Sequence, residues 1–486
     1  MSEPFVLLCY ARNTPYGYDL HAPVPIFALG TYLEEKGVSV EYFDERLDPP
    51  RLFDEMLARR PLLAGFSVIG GYQIPASARL SRRARELSPE TKIVWGGIAA
   101  TTLTRETAAE PYVDFAVTGE GEETLLALAL ALRDNGDASG LAGLALRRGG
   151  EIVVNPRRPP PDLESLPLPY RGKAKGLLPR YLARGSVREL CGYEASRGCP
   201  FTCGFCYSPG FHSDTRVKSR AKIAAELREL QALGVRELDV YDDTLLGARR
   251  EEIEAFASEL GSLGFEWIAN LRVNMLTPGL LARVERSGCR FLYFGLESDD
   301  DGALGRMSKG FSAAQVEAGL GLLRGSKLPT VFSLLVGLPT EGPGGGIERA
   351  LAFAARLHEQ HPRAEIQLQS YVPLPGTPLY PAALAHGFRP PEGLLGWAGL
   401  DHFETRIPWL ERPELPQRVY LSTFLAYRYR RHLSHWPYKA AAYPLHLLSL
   451  WRLRNRRFGL YFEKPLYQAA LGLARLAASA RFALGS

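Results

Sequence analysis

Ser196-Arg197-Gly198-Cys199-Pro200-Phe201-Thr202-Cys203-Gly204-Phe205-Cys206 sets three cysteines at the spacing C-x3-C-x2-C. Cysteine thiolates are the usual protein ligands of iron–sulfur clusters, and three can hold three irons of a four-iron four-sulfur cluster. The fourth iron would then be open to a small chelating ligand. A tetrahedral zinc site would want a fourth Cys or His at similar spacing. Cys191 and His212 are the nearest candidates, and neither spacing is typical. Buried free thiols are the other alternative. The remaining cysteines read as packed apolar residues: Cys9 in an apolar strand, Cys289 at a helix end, and Cys191 with core packing favoured. Six cysteines in 486 residues are too few for a disulfide framework, so a reducing, cytoplasmic setting is expected.

Downstream of the cysteines, apolar runs alternate with helical periodicity. Strands are predicted at 237–241, 266–271, 291–296, 330–336 and 365–371, with helices at 221–233, 250–263, 278–287, 313–324 and 347–361. Repeated units of this length predict a full or partial (β/α) barrel with its chemistry in the strand-end loops. Upstream, strands at 4–10, 38–43, 62–68, 92–95 and 115–117 alternate with helices at 25–36, 76–87 and 122–133. That pattern predicts a doubly wound parallel sheet. Ligands on such sheets bind beyond the strand carboxyl ends. Here those loops are 11–18, 69–73, 96–102 and 118–122, rich in glycine and small residues that let backbone approach a large ligand. A hairpin around Gly149-Gly150 and the Pro-rich run at 155–161 form a connector. The expected division is 1–140, 141–185, 186–400 and a mostly helical 401–486.

Composition is that of a globular α/β protein, 46% apolar and 23% charged, with a net charge of only +5. No basic leader and no apolar run of spanning length is legible, so neither a signal peptide nor a membrane-spanning helix is expected. The charge is uneven. Residues 420–486 carry 11 Lys/Arg against one acid, Glu463, together with 13 aromatics. This tail is either a helical cap on the barrel with a solvated basic face or a surface for an anionic membrane. The second reading would go with a hydrophobic substrate such as a lipid, polyketide-like or tetrapyrrole molecule. No nucleic-acid recognition module is legible, and no nucleic-acid partner is expected.

The cysteine stretch resembles the signature of the radical S-adenosylmethionine (SAM) enzymes, and Phe205 before the third cysteine strengthens the resemblance. Further matches follow in family order. They are Asp242-Asp243, the Arg272 segment at 270–274, Gly295-Leu296-Glu297-Ser298 with Met307 and Lys309, Gly337-Leu338-Pro339, and 373–380. In the N-terminal part, Gly65-Phe66-Ser67, Gly71-Tyr72-Gln73-Ile74, Val94-Trp95-Gly96-Gly97 and residues 117–124 resemble the cobalamin-binding domain of the cobalamin-dependent class. The D-x-H-x-x-G motif that carries a cobalt-ligating histidine is absent. Asp19-Leu20-His21 makes a start on it, but Val24 stands where the glycine should be. His21 therefore reads as an ordinary loop histidine, and cobalamin is expected with its own base displaced and no histidine ligand.

The resemblance implies three cofactors: a [4Fe–4S] cluster on Cys199, Cys203 and Cys206, SAM, and cobalamin. It implies SAM-side contacts from Phe205, Asp242, Arg272, Glu297 and Ser298. It implies cobalamin contacts from Ser67, Ile69, Gly71, Tyr72, Gln73, Gly96, Gly97, Gly119, Glu120, Gly121 and Glu122. Asp243 and Tyr371 are the candidate catalytic side chains. The implied reaction is methyl transfer from SAM through cobalamin to a substrate carbon, after a deoxyadenosyl radical abstracts hydrogen. A non-methylating radical cyclisation or rearrangement is the alternative, and a non-catalytic metal–sulfur protein a third reading. A flavodoxin or ferredoxin would supply the electron, and the substrate would be a small molecule.

Overall fold

The computed structural model describes residues 3–13, 21–182, 190–400, 406–427 and 436–459, with Phe462, Pro465, Leu466 and Ala469. Phe5–Tyr10 (β1) is six consecutive buried residues, as a strand covered on both faces requires. With it run Ser39–Asp44 (β2), Leu63–Ser67 (β3), Lys92–Gly96 (β4) and Phe115–Val117 (β5). Helices Val24–Glu35, Pro50–Ala58, Gln73–Leu87 and Glu122–Arg133 connect and cover them. The hairpin expected in the connector, Leu144–Arg148 (β6) and Glu151–Val154 (β7), joins this sheet antiparallel to β5. The order is β2–β1–β3–β4–β5–β6–β7, so the first unit extends through Val154. Crossover helices between parallel strands put every β1–β5 carboxyl end on one edge.

The second unit begins at Leu190–Tyr193 (β8), a strand the sequence pattern did not predict. Beside it lie Glu237–Val240 (β11), Glu266–Asn270 (β12), Cys289–Glu297 (β13), Thr330–Val336 (β14) and Glu365–Ser370 (β15). All five pairings are parallel, in the order β8–β11–β12–β13–β14–β15. The sheet is a six-stranded partial barrel. Two short strands, Ser196–Arg197 (β9) and Arg216–Val217 (β10), pair antiparallel and form a neck from which the three-cysteine loop emerges. Cys9 and Cys191 are fully buried in β1 and β8. Cys289 opens β13 rather than ending a helix, because the preceding helix stops at Arg286.

Helix Leu415–Tyr427 packs along β15, and Trp436–Asn455 packs on that helix. The described part of the tail thus covers the far strand of the second sheet. No described helix is long and apolar enough to cross a membrane. Residues 14–18 of the first expected loop, Asp19-Leu20, and Glu463 lie outside the described residues.

Candidate active site between the two sheets

The neck is built around one carboxylate. Asp242, just past β11, accepts hydrogen bonds at Oδ1 from the amides of Ala195 (2.8 Å) and Ser196 (2.9 Å). Its Oδ2 accepts from Ser196 Oγ (2.5 Å) and the Leu246 amide (2.7 Å). Burial pushes this carboxyl up to about 6 even though all four bonds favour the anion. With both oxygens occupied and the side chain 1% exposed, Asp242 braces the neck from behind and is not placed to touch a cofactor. That corrects the expected SAM contact. Its neighbour faces the other way: Asp243 Oδ2 accepts from the Gly198 amide (3.1 Å) and lies 3.4 Å from His212 Nε2.

All three loop cysteines are free thiols, Cys203 buried and the other two partly so. Burial pushes Cys199 up and Cys206 up to about 11, and the neighbouring thiols of the trio add to both shifts. The Ser208 amide points at Cys206 Sγ (3.4 Å). No three His, Cys, Asp or Glu among the described residues gather closely enough for a single metal ion. A cube-shaped cluster takes its thiolates at separate corners, so three neighbouring cysteines can each hold one iron.

Of the other SAM-side residues, Phe205 belongs to this loop, Arg272 touches it, and Glu297 reaches it through Lys309. Glu297, in the left-handed region at φ 63° beside a register shift between β13 and β14, pairs with Lys309 Nζ at 2.9 Å. Ser298 Oγ accepts from the Asp300 amide (3.2 Å). Phe205 lies under Lys309 Nζ, 5.4 Å from its ring centre. Arg272 lies over the Phe201 ring at 3.6 Å, with Nη1 3.8 Å from Cys203 Sγ.

A cavity of about 530 Å³ opens between the two sheets. From the first sheet it is lined by Ser67, Ile69, Gly96, Gly97, Gly119 and Glu120, then Gly121 and Glu122. From the second come Arg197, Tyr207, Tyr241, Asp243 and Asn270. Gly97 sits at φ 88°, and a Cβ there would come within 2.9 Å of the Val68 carbonyl. Glycine at these positions keeps side chains off the cavity wall, which lets a large ligand lie close to backbone. His21 lines the same cavity.

Glu120 and Glu122 reach across the junction. Arg197 Nη1 meets Glu120 at 2.7 Å and its Nη2 meets Glu122 at 2.7 Å, while its Nε meets Glu194 at 2.8 Å. Glu120 also accepts from His212 Nδ1 (2.9 Å) and pairs with Arg216. Burial alone would raise the Glu120 carboxyl, but His212, Arg197 and Arg216 outweigh it and hold it at about 2. Arg197 and Arg216 were not singled out from the sequence, and His212 was weighed only as a zinc ligand. The signature stretch contained Arg197 but gave no sign of its far upstream partners Glu120 and Glu122.

Three expected contacts stand apart from the cavity lining. Gln73 is fully buried, donating to the Ala11 carbonyl (3.1 Å) and accepting from the Ile69 amide (2.8 Å), so it braces the loop that carries Ile69. Tyr72 is exposed, and Gly71 supplies a positive-φ turn at 49°. Tyr371, the other candidate catalytic residue, is 1% exposed, packs beside Trp409 at 6.2 Å and does not line this cavity.

Comparison with known proteins agrees with this arrangement. Residues 13–129 match the B12 binding domain and residues 193–345 the radical SAM superfamily. An uncharacterized methyltransferase of Pyrococcus horikoshii is 28% identical over 63% of this chain and 66% of its own length. An anaerobic magnesium-protoporphyrin IX monomethyl ester cyclase of Synechocystis is 27% identical over 62% of each chain. The chain thus spans about two thirds or less of these relatives' length. The fold matches the radical SAM methyltransferase TsrM from Kitasatospora setae, solved with cobalamin and a [4Fe–4S] cluster bound. That match has TM-score 0.63 and 19% identity, covering 79% of this chain and 75% of TsrM. With a B12-binding domain and a radical SAM domain opening on one cavity, the chain belongs to the cobalamin-dependent radical SAM enzymes.

Proposed function

We propose that this enzyme transfers a methyl group from SAM to a carbon atom of a small molecule, with cobalamin as the methyl carrier. The supporting observation is the single cavity onto which the glycine loops of the first sheet and the cysteine-loop neck of the second both open. When bound, the cluster, SAM and cobalamin supply one-electron chemistry and a transferable methyl group. The protein's part is to hold them, orient the substrate and exclude water. Cys199, Cys203 and Cys206 would hold the cluster, and Glu297 and Ser298 are assigned to SAM. Ser67, Gly96, Gly97 and Gly119 give cobalamin backbone to lie against. Asp243 lines the cavity from the second unit, as Glu194 does, and is assigned to the substrate. Exposed Pro200 and Thr202 on the cysteine loop give a flavodoxin or ferredoxin its approach.

The test is anaerobic turnover with reconstituted protein, reductant and methyl-deuterated SAM. Deuterated methyl in a substrate-derived product supports the proposal. Reductive SAM cleavage with an unlabelled, rearranged product supports instead the radical cyclisation suggested by the cyclase relative.

The tail suggests where substrate comes from. Tyr443, Leu447 and Trp451 stand exposed at four-residue steps, followed by exposed Arg454 and Arg457. Aromatics beside arginines suit an anionic lipid surface and a hydrophobic substrate. The full chain should float with anionic vesicles, and Tyr443→Ser/Leu447→Ser/Trp451→Ser should not. Equal flotation, or none by the parent chain, would remove this part.

A further inference from the structure

Arg272 is a buried cation, 7% exposed, with no carboxylate partner among the described residues. Its guanidinium lies between two aromatic rings, 3.6 Å from the Phe201 centre and 4.9 Å from Phe311. Nη2 donates to the Lys309 carbonyl, Nη1 points at Cys203 Sγ at 3.8 Å, and Nε has no partner. Lys309 continues the ladder, its Nζ 5.7 Å from Phe311 and 5.4 Å from Phe205. Lys309 is neutralised by Glu297. Arg272 is not neutralised by anything comparable.

An unpaired buried charge costs several kcal/mol, so a site that keeps one is built around a counter-charge. The group able to become an anion that Arg272 touches is the Cys203 thiol. Phe201 and Phe205 belong to the cysteine loop itself, so the ladder also fixes that loop against β12 and β13. We propose that Arg272 is the charge partner of the cluster's thiolates and sets the cluster's reduction potential, rather than gripping the SAM carboxylate. The proposal rests on the reading that Cys199, Cys203 and Cys206 hold a [4Fe–4S] cluster. Reduction adds one electron to the cluster and breaks no bond. A fixed cation a few ångströms away stabilises the more negative, reduced state, and hydrogen bonds to cluster sulfurs act in the same direction. At interior dielectric, a unit charge at this range is worth at least a factor of ten in the one-electron equilibrium.

The experiment is an EPR-monitored redox titration of the anaerobically reconstituted full chain, with iron and sulfide counted first. Parent, Arg272→Gln and Arg272→Lys are compared, and SAM affinity of each oxidised form is measured by equilibrium binding. Arg272→Gln should be about tenfold harder to reduce, ~59 mV more negative for one electron. Arg272→Lys should stay near the parent, and SAM affinity should change less than threefold. An unchanged potential with tenfold weaker SAM binding in Arg272→Gln would overturn the proposal and make Arg272 a SAM ligand. Cluster assembly in Arg272→Lys but not Arg272→Gln supports the charge role. Failure of both variants, with a full cluster in the parent, would reduce Arg272 to scaffold and sink it. Absence of a cluster from the parent would instead remove the cofactor reading.

Discussion

The strand-end loops of the two sheets face one cavity but are made from different materials. The first sheet offers glycines, Ser67 and Ile69, so its ligand would be held by backbone shape. The second offers Arg197, Tyr207, Tyr241 and Asp243, side chains on and beside the neck that carries the cysteine loop, so its ligands would be held by side-chain chemistry. Substitutions should therefore be all-or-none on the second side and graded on the first. Glu120 and Arg197, which join the two, should behave as electrostatics.

Removing a cysteine is the harshest test. Cys199→Ala, Cys203→Ala or Cys206→Ala should abolish reductive SAM cleavage and leave substoichiometric iron. Retention of a full cluster in any one would break the assignment. Next come the paired aspartates. Asp242→Ala strips the neck of four hydrogen bonds and should cost about 3–5 kcal/mol, read by urea unfolding. Asp243→Asn should cost under about 1 kcal/mol and yet lose most turnover. Equal stability losses would contradict the division between brace and cavity face.

The junction predicts a pH signature. Glu120 has a folded-state value near 2 against an ordinary 4.5. A depressed carboxyl contributes stability that is fully present above its unfolded value and is lost as pH falls through the folded one. Unfolding of the cofactor-free chain should show about 3 kcal/mol from this group at pH 6. That contribution should disappear between about pH 4.5 and 2, and Glu120→Gln should lack this part of the slope. Parallel parent and variant curves would mean the clamp is not electrostatic. The smallest effect belongs to the first sheet. Gly97→Ala puts a Cβ against the Val68 carbonyl at positive φ, so cobalamin retention should weaken about tenfold while iron content stays unchanged.

Much of this was legible in the chain. Strands whose faces are both buried, such as β1 and β14, read as apolar runs, and their predicted limits fall within a residue or so of the observed ones. The cysteine loop was legible because its ligands are adjacent in sequence. β8 was not, since four residues ending in Gly192-Tyr193 give no periodicity to read. The pair Asp242-Asp243 carried the right motif but not the division of labour. Successive residues past a strand end point opposite ways, and only the fold says which way is the cavity. Glu120 and Glu122 stood out as a motif, yet their partner Arg197 comes from another sheet. Tyr371 shows the same limit: alternation along β15 gave its face, not what covers it.

The central claim is that one cavity serves two cofactors, and it is tested most directly by anaerobic purification with iron, sulfide and cobalamin counted in the same sample. The account predicts about four irons and one cobalamin per chain. A chain that fills its cluster but retains no cobalamin would contradict it.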